Sequence, residues 1–573
     1  MIARIPLGCA LGVVLVLSSP GLAGTYHVAQ EHPRASDDNP GSEEAPWKTV
    51  SKAAAEMLPG DTAVIHQGIY REWVNPARSG SPSEPIVFEA AADQTVVLTG
   101  ADVVTGWVPV REHVWKKEPW PYRFATHPND ERHRLIGRCE QVIVDGRLSK
   151  QVERVEDLSA GTFCADTQQK VLYLWLEDGD DPEKHLVEAS VRPVCFGPGW
   201  GRPPRHHIVL RGLTIRFAAN MAQRGALFAK GDGWLVEDCA VQWTNGSGIS
   251  FRGSDATLRR VRSHHHGQQG LGGGGSRFRL EEVTLDHNNL KGFDQDWEAG
   301  GAKIALCRDG VVRRCRAVAN RGVGLWFDID VRDVLVEECF AKDNARHGIY
   351  VEISGGFTVR NNLCVHNGTE DHWGSGGISL GESDHCIIEH NTCVLNPTGI
   401  SLREQGPRTC RSVGGGQATY HVHDVTIRKN IAALNHRYQV GFWWDNPFFG
   451  PHPSAGRGSR GTSLDPEQNN IRLNENVYWT KDKQALALWG CPWRPKHEQY
   501  ADLTAWQTQR KQDLQSLAAD PQFVSPESGS WALRPESPAH QLGAGPSRPP
   551  VAIELDPGTG QGDRVNRRDS LKR

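Results

Sequence analysis

The sequence predicts an all-β protein: a right-handed parallel β-helix, or solenoid, with an inserted β-rich module and a cap at each end. Two recurring phrases and their spacing carry the prediction. In the first, an apolar residue precedes two polar ones and then Cys, Val or Asn, as in Val236-Glu237-Asp238-Cys239, Leu258-Arg259-Arg260-Val261, Leu280-Glu281-Glu282-Val283 and Val312-Arg313-Arg314-Cys315. It returns as Val336-Glu337-Glu338-Cys339, Val359-Arg360-Asn361-Asn362, Ile388-Glu389-His390-Asn391 and Ile427-Arg428-Lys429-Asn430. The basal period is about 22–24 residues, lengthening where loops are inserted, as stacked coils allow. Leucine-rich repeats share that length, but their fixed leucine and asparagine phrase is missing. In the second phrase Gly leads four alternating residues, as in Gly324-Leu325-Trp326-Phe327-Asp328, Gly348-Ile349-Tyr350-Val351-Glu352 and Gly399-Ile400-Ser401-Leu402-Arg403. Its second and fourth residues are apolar and face the core, so the third and fifth point outward on one sheet.

The elements follow in chain order. Arg4, the apolar run Cys9–Leu17 and Gly21-Leu22-Ala23 read as a signal peptide over residues 1–23, so the mature chain is expected to be exported, to a periplasm or beyond the cell. Residues 24–130 are expected to hold an N-terminal cap, with Trp47–Met57 as an amphipathic helix, and the first coils. An inserted β-module is expected over 131–190, with hairpins near Val142–Gly146 and Val171–Leu176. The main β-helix should cover 191–480, a C-terminal cap 481–555 and a disordered tail 556–573. No later stretch offers the ~20 apolar residues of a membrane span. Cys239, Cys315 and Cys339 share one repeat position, which predicts buried, stacked thiols, and Asn362, Asn391 and Asn430 share it too, which predicts an asparagine ladder.

Composition narrows the partners. With 64 Lys+Arg against 68 Asp+Glu and a formal charge of −4, the chain lacks the basic excess of a nucleic-acid or anionic-membrane binder. The 19 Trp against 9 Tyr suit a carbohydrate partner, since indole faces stack on sugar rings, although they equally suit a core.

The coil alignment puts Asp328 and Glu352 at the same outward position of adjacent coils. Neighbouring strands lie ~4.8 Å apart. That spacing is near the ~5–5.5 Å carboxyl separation of retaining glycosidases and short of the ~6.5–9.5 Å of inverting ones. Stacked like charges should also raise one of the two pKa values, as a general acid requires. Lys303, Trp326, Tyr350, Arg403 and Asp445 fall at outward positions around the pair and would line a groove. The bland alternative is that the two carboxylates are solvated surface groups.

Gly324–Asp328, followed one coil later by Val351-Glu352-Ile353-Ser354, resembles the catalytic region of the β-helix β-xylosidases of glycoside hydrolase family 120. Glu298–Lys303 is similar to that family, as are Tyr26-His27-Val28-Ala29, Pro59–Thr62 and Gly68–Trp73. The resemblance implies that Asp328 is the nucleophile and Glu352 the acid/base, and adds Glu298 to the substrate-binding candidates. The chain departs from the family by about one extra residue between the two carboxylates, and residues 366–480 match poorly. Two rivals stay open. One is a Ca²⁺-dependent polysaccharide lyase or uronan epimerase, with Lys303 or Arg403 as base and Asp294/Asp296 or Asp328/Asp330 as ligands. The other is a non-catalytic carbohydrate-binding surface protein. His264-His265-His266 reads as a turn, because successive strand residues face opposite ways. No metal and no cofactor are expected.

Overall fold

The structure, a computed structural model, describes residues 23–127, 135–369, 374–444, 464–481, 484–491 and 497–546. Most of the signal segment, the tail and Asp445 lie outside the described residues. The fold is a right-handed parallel β-helix. Each coil presents one strand to each of three faces. On the first face stand strands such as Ser247–Arg252, Val323–Asp328 and Ile349–Glu352; on the second Thr257–Arg259, Arg332–Glu337 and Thr358–Arg360; on the third Arg262–His264, Phe340–Lys342 and Leu363–Val365. Among the described residues the first two faces merge into one 23-stranded sheet, and the third forms a sheet of 13 strands. Apolar residues that open the first phrase, including Val236, Leu258, Val312, Val336 and Val359, point inward and are fully buried.

The first phrase proves to be half strand and half corner. Its third residue adopts a left-handed conformation in coil after coil: Asp238, Arg260, Glu282, Arg314, Glu338, Asn361, His390 and Lys429 all have φ between 51° and 57°. Such a backbone costs a non-glycine residue roughly 1–3 kcal/mol. The corner is held by amide bonds to the next coil, such as Asp238 N to Arg259 O, Arg314 N to Glu337 O and Asn361 N to Glu389 O.

Inside the corner, Asn362, Asn391 and Asn430 form the expected ladder. Each side-chain amide donates to the next carboxamide oxygen at 2.9–3.0 Å, and Asn430 passes the ladder on to Asn476 at 3.1 Å. Cys239, Cys315 and Cys339 fill the same place in earlier coils as buried free thiols. A second ladder, which the sequence reading did not single out, runs Asn288–Asn320–Asn344–Asn367–Asn396–Asn435 and ends on Gln439. It explains the glycine of the second phrase. A Cβ on Gly324 would lie 2.6 Å from Gly348 O and 2.9 Å from Asn344 Nδ2, so the ladder and the glycine column require each other.

A short helix stands near each end of the described solenoid. Thr49 caps the N-terminal helix Val50–Glu56, its side chain accepting from Lys52 N. At the other end Asp502 caps Leu503–Arg510 through Ala505 N. The inserted module begins earlier than residue 131. Ala101–Val103 pairs with Val187–Ser190, and Val108–Arg111 and Val114–Lys117 join the sheet of Thr162–Asp166 and Val171–Trp175. Those early strands read from the sequence as coil strands because both kinds are short and apolar. Among the described residues no helix is long and apolar enough to cross a membrane.

Replacing Asn391 with Ala would take from the Asn362 main-chain N–H its acceptor and from the Val359 carbonyl a donor, both inside the core. Leaving a buried polar group unpaired costs about 1–3 kcal/mol. Urea unfolding should show a loss of that order for Asn391→Ala and near-neutrality for the exposed Arg428→Ala.

Candidate active site

Strand alternation on the first face creates two outward rows. In register along the axis run Phe228, Ser250, Gly272, Lys303, Trp326, Tyr350, Ser379 and Ser401; beside them run Arg252, Gly274, then Ala305, Asp328, Glu352, Gly381 and Arg403. Asp328 and Glu352 are therefore direct neighbours, flanked by the small Ala305 and Gly381. They are not solvated surface groups: only 5% and 7% of their surfaces remain exposed. Alternation along a strand tells inward from outward but not whether loops bury the outward side. Here Trp297 and Glu298 come against Lys303 and Asp328, and the hairpin Arg408–Arg411/Gln417–Tyr420 brings Arg408 onto Glu352.

Over the rows opens a pocket of ≈ 410 Å³ bounded by Gln295, Asp296, Trp326, Arg346, His347, Tyr350, Glu352, Arg403 and Trp443. Lys303 Nζ sits 2.8 Å from Asp328 Oδ2, 3.8 Å over the Trp326 ring, and donates to Trp297 O at 2.7 Å. Trp326 and Tyr350 stack with ring centroids 5.8 Å apart, and His347 stacks on the other side of Tyr350 at 4.3 Å. Arg403, two coils from Glu352, reaches Oε1 at 2.8 Å because Gly381 stands between them. A Cβ there would lie 2.8 Å from Tyr350 Oη and 3.2 Å from Arg403 Nη2. Two partners escaped the sequence reading. Arg408 meets the same Oε1 at 2.5 Å, and the fully buried Glu382 receives Arg408 at 3.2 Å and Arg403 at 3.5 Å. Arg408 comes from an insertion outside the repeat, so no repeat position announces it.

This environment splits the carboxylates. Burial would raise Glu352, but Arg403 and Arg408 overcome it and hold the acid at about 2. Burial pushes Asp328 up, and the Glu352 charge adds to that against the pull of Lys303. Burial likewise raises Glu298, half-buried beside Lys303 and Asp328. The free site thus places its firmest negative charge on Glu352, and its proton affinity on Asp328 and Glu298. Asp328 Oδ1, Trp326 Nε1 and Tyr350 Oη are buried without a hydrogen-bond partner among the described residues. Trp326 and Tyr350 line the pocket and Asp328 adjoins it through its neighbour Glu352. Buried polar groups are nearly always paired, so orphans gathered here mark a surface built to receive polar groups.

The acidic pairs Asp294/Asp296 and Asp328/Asp330 do not assemble as one ligand set. Asp294 caps Asp296 N, Asp296 pairs with Arg346, and Asp330 anchors the hairpin through Tyr420 Oη and Val413 N while pairing with Arg332 on its own coil. His266 bonds Ser263 in its own coil and Thr244 in the preceding one. Farther along the same sheet, a second cavity of ≈ 300 Å³ lies between the inserted module and the coils, lined by Trp73, Tyr122, Phe124, Trp200 and Phe228. Trp200 is half exposed and stacks on Phe228, with Arg224 and Arg252 against its ring. Only Ser250 and Gly272 separate Phe228 from Lys303 in the row, leaving a shallow floor between the cavities.

A family profile described as "Right handed beta helix region" matches residues 224–393. The uncharacterized protein YwoF of Bacillus subtilis (strain 168) is 21% identical over 531 residues, covering 89% of this chain and 91% of its own. The structure of XylC in complex with xylose superposes with a TM-score of 0.63 at 19% identity, over 82% of this chain and 87% of that one. A structure described as a glycoside hydrolase matches more loosely, with a TM-score of 0.43 at 12% identity over 82% and 95% of the two chains. At these identities the likeness is one of architecture.

The fold holds Glu352 at about 2 against an ordinary 4.5, so it gains stability from this carboxylate above ~pH 4.5 and loses it as pH falls toward 2. Glu352→Gln should therefore unfold at a lower temperature than the wild type at neutral pH. The gap should close progressively between about pH 4.5 and pH 2 in thermal scans.

Proposed function

We propose that the protein is an exported, retaining glycoside hydrolase, β-xylosidase-like, acting on plant or microbial oligosaccharide or polysaccharide. The observation that carries this reading is the buried Asp328–Glu352 pair on neighbouring strands, under a pocket lined by stacked aromatics and unpartnered polar atoms. Strand spacing of ~4.8 Å suits direct attack by one carboxylate, with the other as proton donor and then base. Trp326 and Tyr350 would stack on the sugar, while Glu298 and Lys303 would position its hydroxyls. The solved complex of XylC with xylose, sharing this architecture, supports the choice of sugar class.

Charge speaks against a uronate substrate. Lys303, Arg346, Arg403 and Arg408 each already face a carboxylate, and Glu298 and Glu382 add further acid. A uronate carboxylate entering this pocket would find these cations already paired, which disfavours a lyase or epimerase. As a mere binding surface, the protein would hold Asp328 buried against the Glu352 charge at a cost in stability and with no return.

Roles within the pair admit two allocations. The family resemblance has Asp328 attack the anomeric carbon, through the oxygen that Lys303 leaves free, and Glu352 protonate the leaving oxygen. In that allocation the bound sugar must draw Arg403 and Arg408 off Glu352 before it can hold a proton. The free site's charge distribution favours the exchange, with ionised Glu352 attacking and Asp328 or Glu298 donating.

Aryl glycosides, β-xyloside among them, assayed with EDTA present should be hydrolysed with retention of configuration. Glu352→Gln and Asp328→Asn should each lose about 10²–10⁴-fold in turnover. Azide added to Asp328→Ala and Glu352→Ala settles the allocation. The acid/base variant returns a glycosyl azide of retained configuration, and the nucleophile variant one of inverted configuration. Silence across the panel, with unsaturated products from uronan and Ca²⁺, would sink the hydrolase. If the substrate chain extends over the second cavity, Trp200→Ala should raise KM roughly 2–10-fold for oligosaccharides while sparing aryl monosaccharides.

A further inference from the structure

Away from the pocket, on the second face, Asp384 and His423 open neighbouring strands in register. His385 follows Asp384, and His421-Val422-His423-Asp424 brings two more donors to the same spot. His423 Nε2 lies 3.6 Å from Asp384 Oδ2, and His385 Nδ1 lies 3.1 Å from Asp384 Oδ1. One ligand atom from each of Asp384, His385 and His423 falls within 4.8 Å of the others. The supporting shell is already in place. His423 Nδ1 meets Asp424 Oδ2 at 2.7 Å, and Asn470 Nδ2 in turn donates to Asp424 Oδ1 at 2.5 Å. A carboxylate on the far ring nitrogen fixes the tautomer and aims the other nitrogen at a metal, as in carboxylate–histidine–zinc triads. The His421 ring packs 4.2 Å from that of His423.

The backbone makes room for this arrangement. Asp384 is largely buried, and a Cβ on Gly355 beneath it would lie 2.2 Å from Asp384 Oδ1. The nearby cation Arg332 is engaged by Asp330 and by the Tyr420 ring. The His264, His265 and Asp286 group is different, because Arg262 occupies the Asp286 carboxylate with two hydrogen bonds at 3.0–3.1 Å.

We propose that Asp384, His385 and His423 form a binding site for a zinc-class divalent transition metal, with Asp424 orienting His423. Two imidazoles and one carboxylate are borderline donors that suit Zn²⁺ and its neighbours, whereas Ca²⁺ and Mg²⁺ want all-oxygen shells. The site has a structural purpose. The chain leaves Asp384's coil, forms the hairpin that delivers Arg408 to Glu352, and returns at His421–His423. A metal held by Asp384, His385 and His423 would clamp the foot of that hairpin to the coil below. The inference does not depend on the glycosidase reading.

The test uses tag-free mature protein, stripped with EDTA, dialysed and titrated calorimetrically with ZnCl₂ or CaCl₂. About one equivalent of Zn²⁺ should bind, in preference to Ca²⁺, and raise the unfolding temperature by mass action. Asp384→Asn and His423→Gln should each abolish saturable uptake, and Asp424→Asn should weaken it ~10–100-fold. His265→Gln, in the other histidine group, should leave it unchanged. Absence of saturable uptake by the wild type overturns the proposal. So does uptake that persists in the folded Asp384→Asn/His423→Gln double variant. If the variants fail to fold, Co²⁺ bound to the wild type decides. An intense visible spectrum of a low-coordinate site supports the proposal, and the weak spectrum of the hydrated ion refutes it.

Discussion

Coil-to-coil register is the constraint on which this protein's chemistry rests. A parallel sheet repeats the same side-chain positions every ~4.8 Å, but a slip of one residue would turn every outward group inward. Two internal ladders guard against such a slip. Each asparagine donates to the next asparagine along the axis and to a main-chain carbonyl of the preceding coil, as Asn344 does to Asn367 and Ala317 O. A shifted strand would leave these amides unpaired in the core. The Asn344–Asn367 rung lies beside Gly324 and Gly348, which lead into Asp328 and Glu352. The carboxylate pair is therefore positioned by hydrogen bonds on the opposite side of its own backbone.

The site so positioned is electrostatically expensive. Two like charges are held side by side with little solvent, and Lys303, Arg403 and Arg408 must offset both the repulsion and the desolvation. Gly381 lets a guanidinium pass over a whole coil to reach Glu352. The cations that make the pair tolerable also set its proton distribution, so stability and reactivity are tuned by the same contacts.

Most of the fold was legible because a solenoid writes its geometry into its period. The phrase starting points placed the second-face strands, and the alternation after Gly placed Asp328, Glu352, Lys303, Trp326, Tyr350 and Arg403 on one face. The second ladder was also legible, and overlooked. Asn288, Asn320, Asn344, Asn367, Asn396 and Asn435 each follow the last residue of the first phrase by the same offset. What could not be read was whatever insertions contribute. Arg408, the burial of the pair and the early start of the inserted module depend on how non-repeating segments pack across the coils. Glu382 sits at a left-handed corner, where the pattern announces an exposed polar residue, yet it is fully buried beneath two arginines.

Because each coil touches little beyond its two neighbours, the hairpin that delivers Arg408 can lengthen, shorten or change sequence without disturbing the ladders. The axis thus separates what must be inherited from what is free to vary. A lineage can redraw the rim of the pocket by exchanging loops while its reactive floor is passed on intact. Divergence of activity on such a scaffold should then proceed by indels between coils, with point changes within them playing the smaller part.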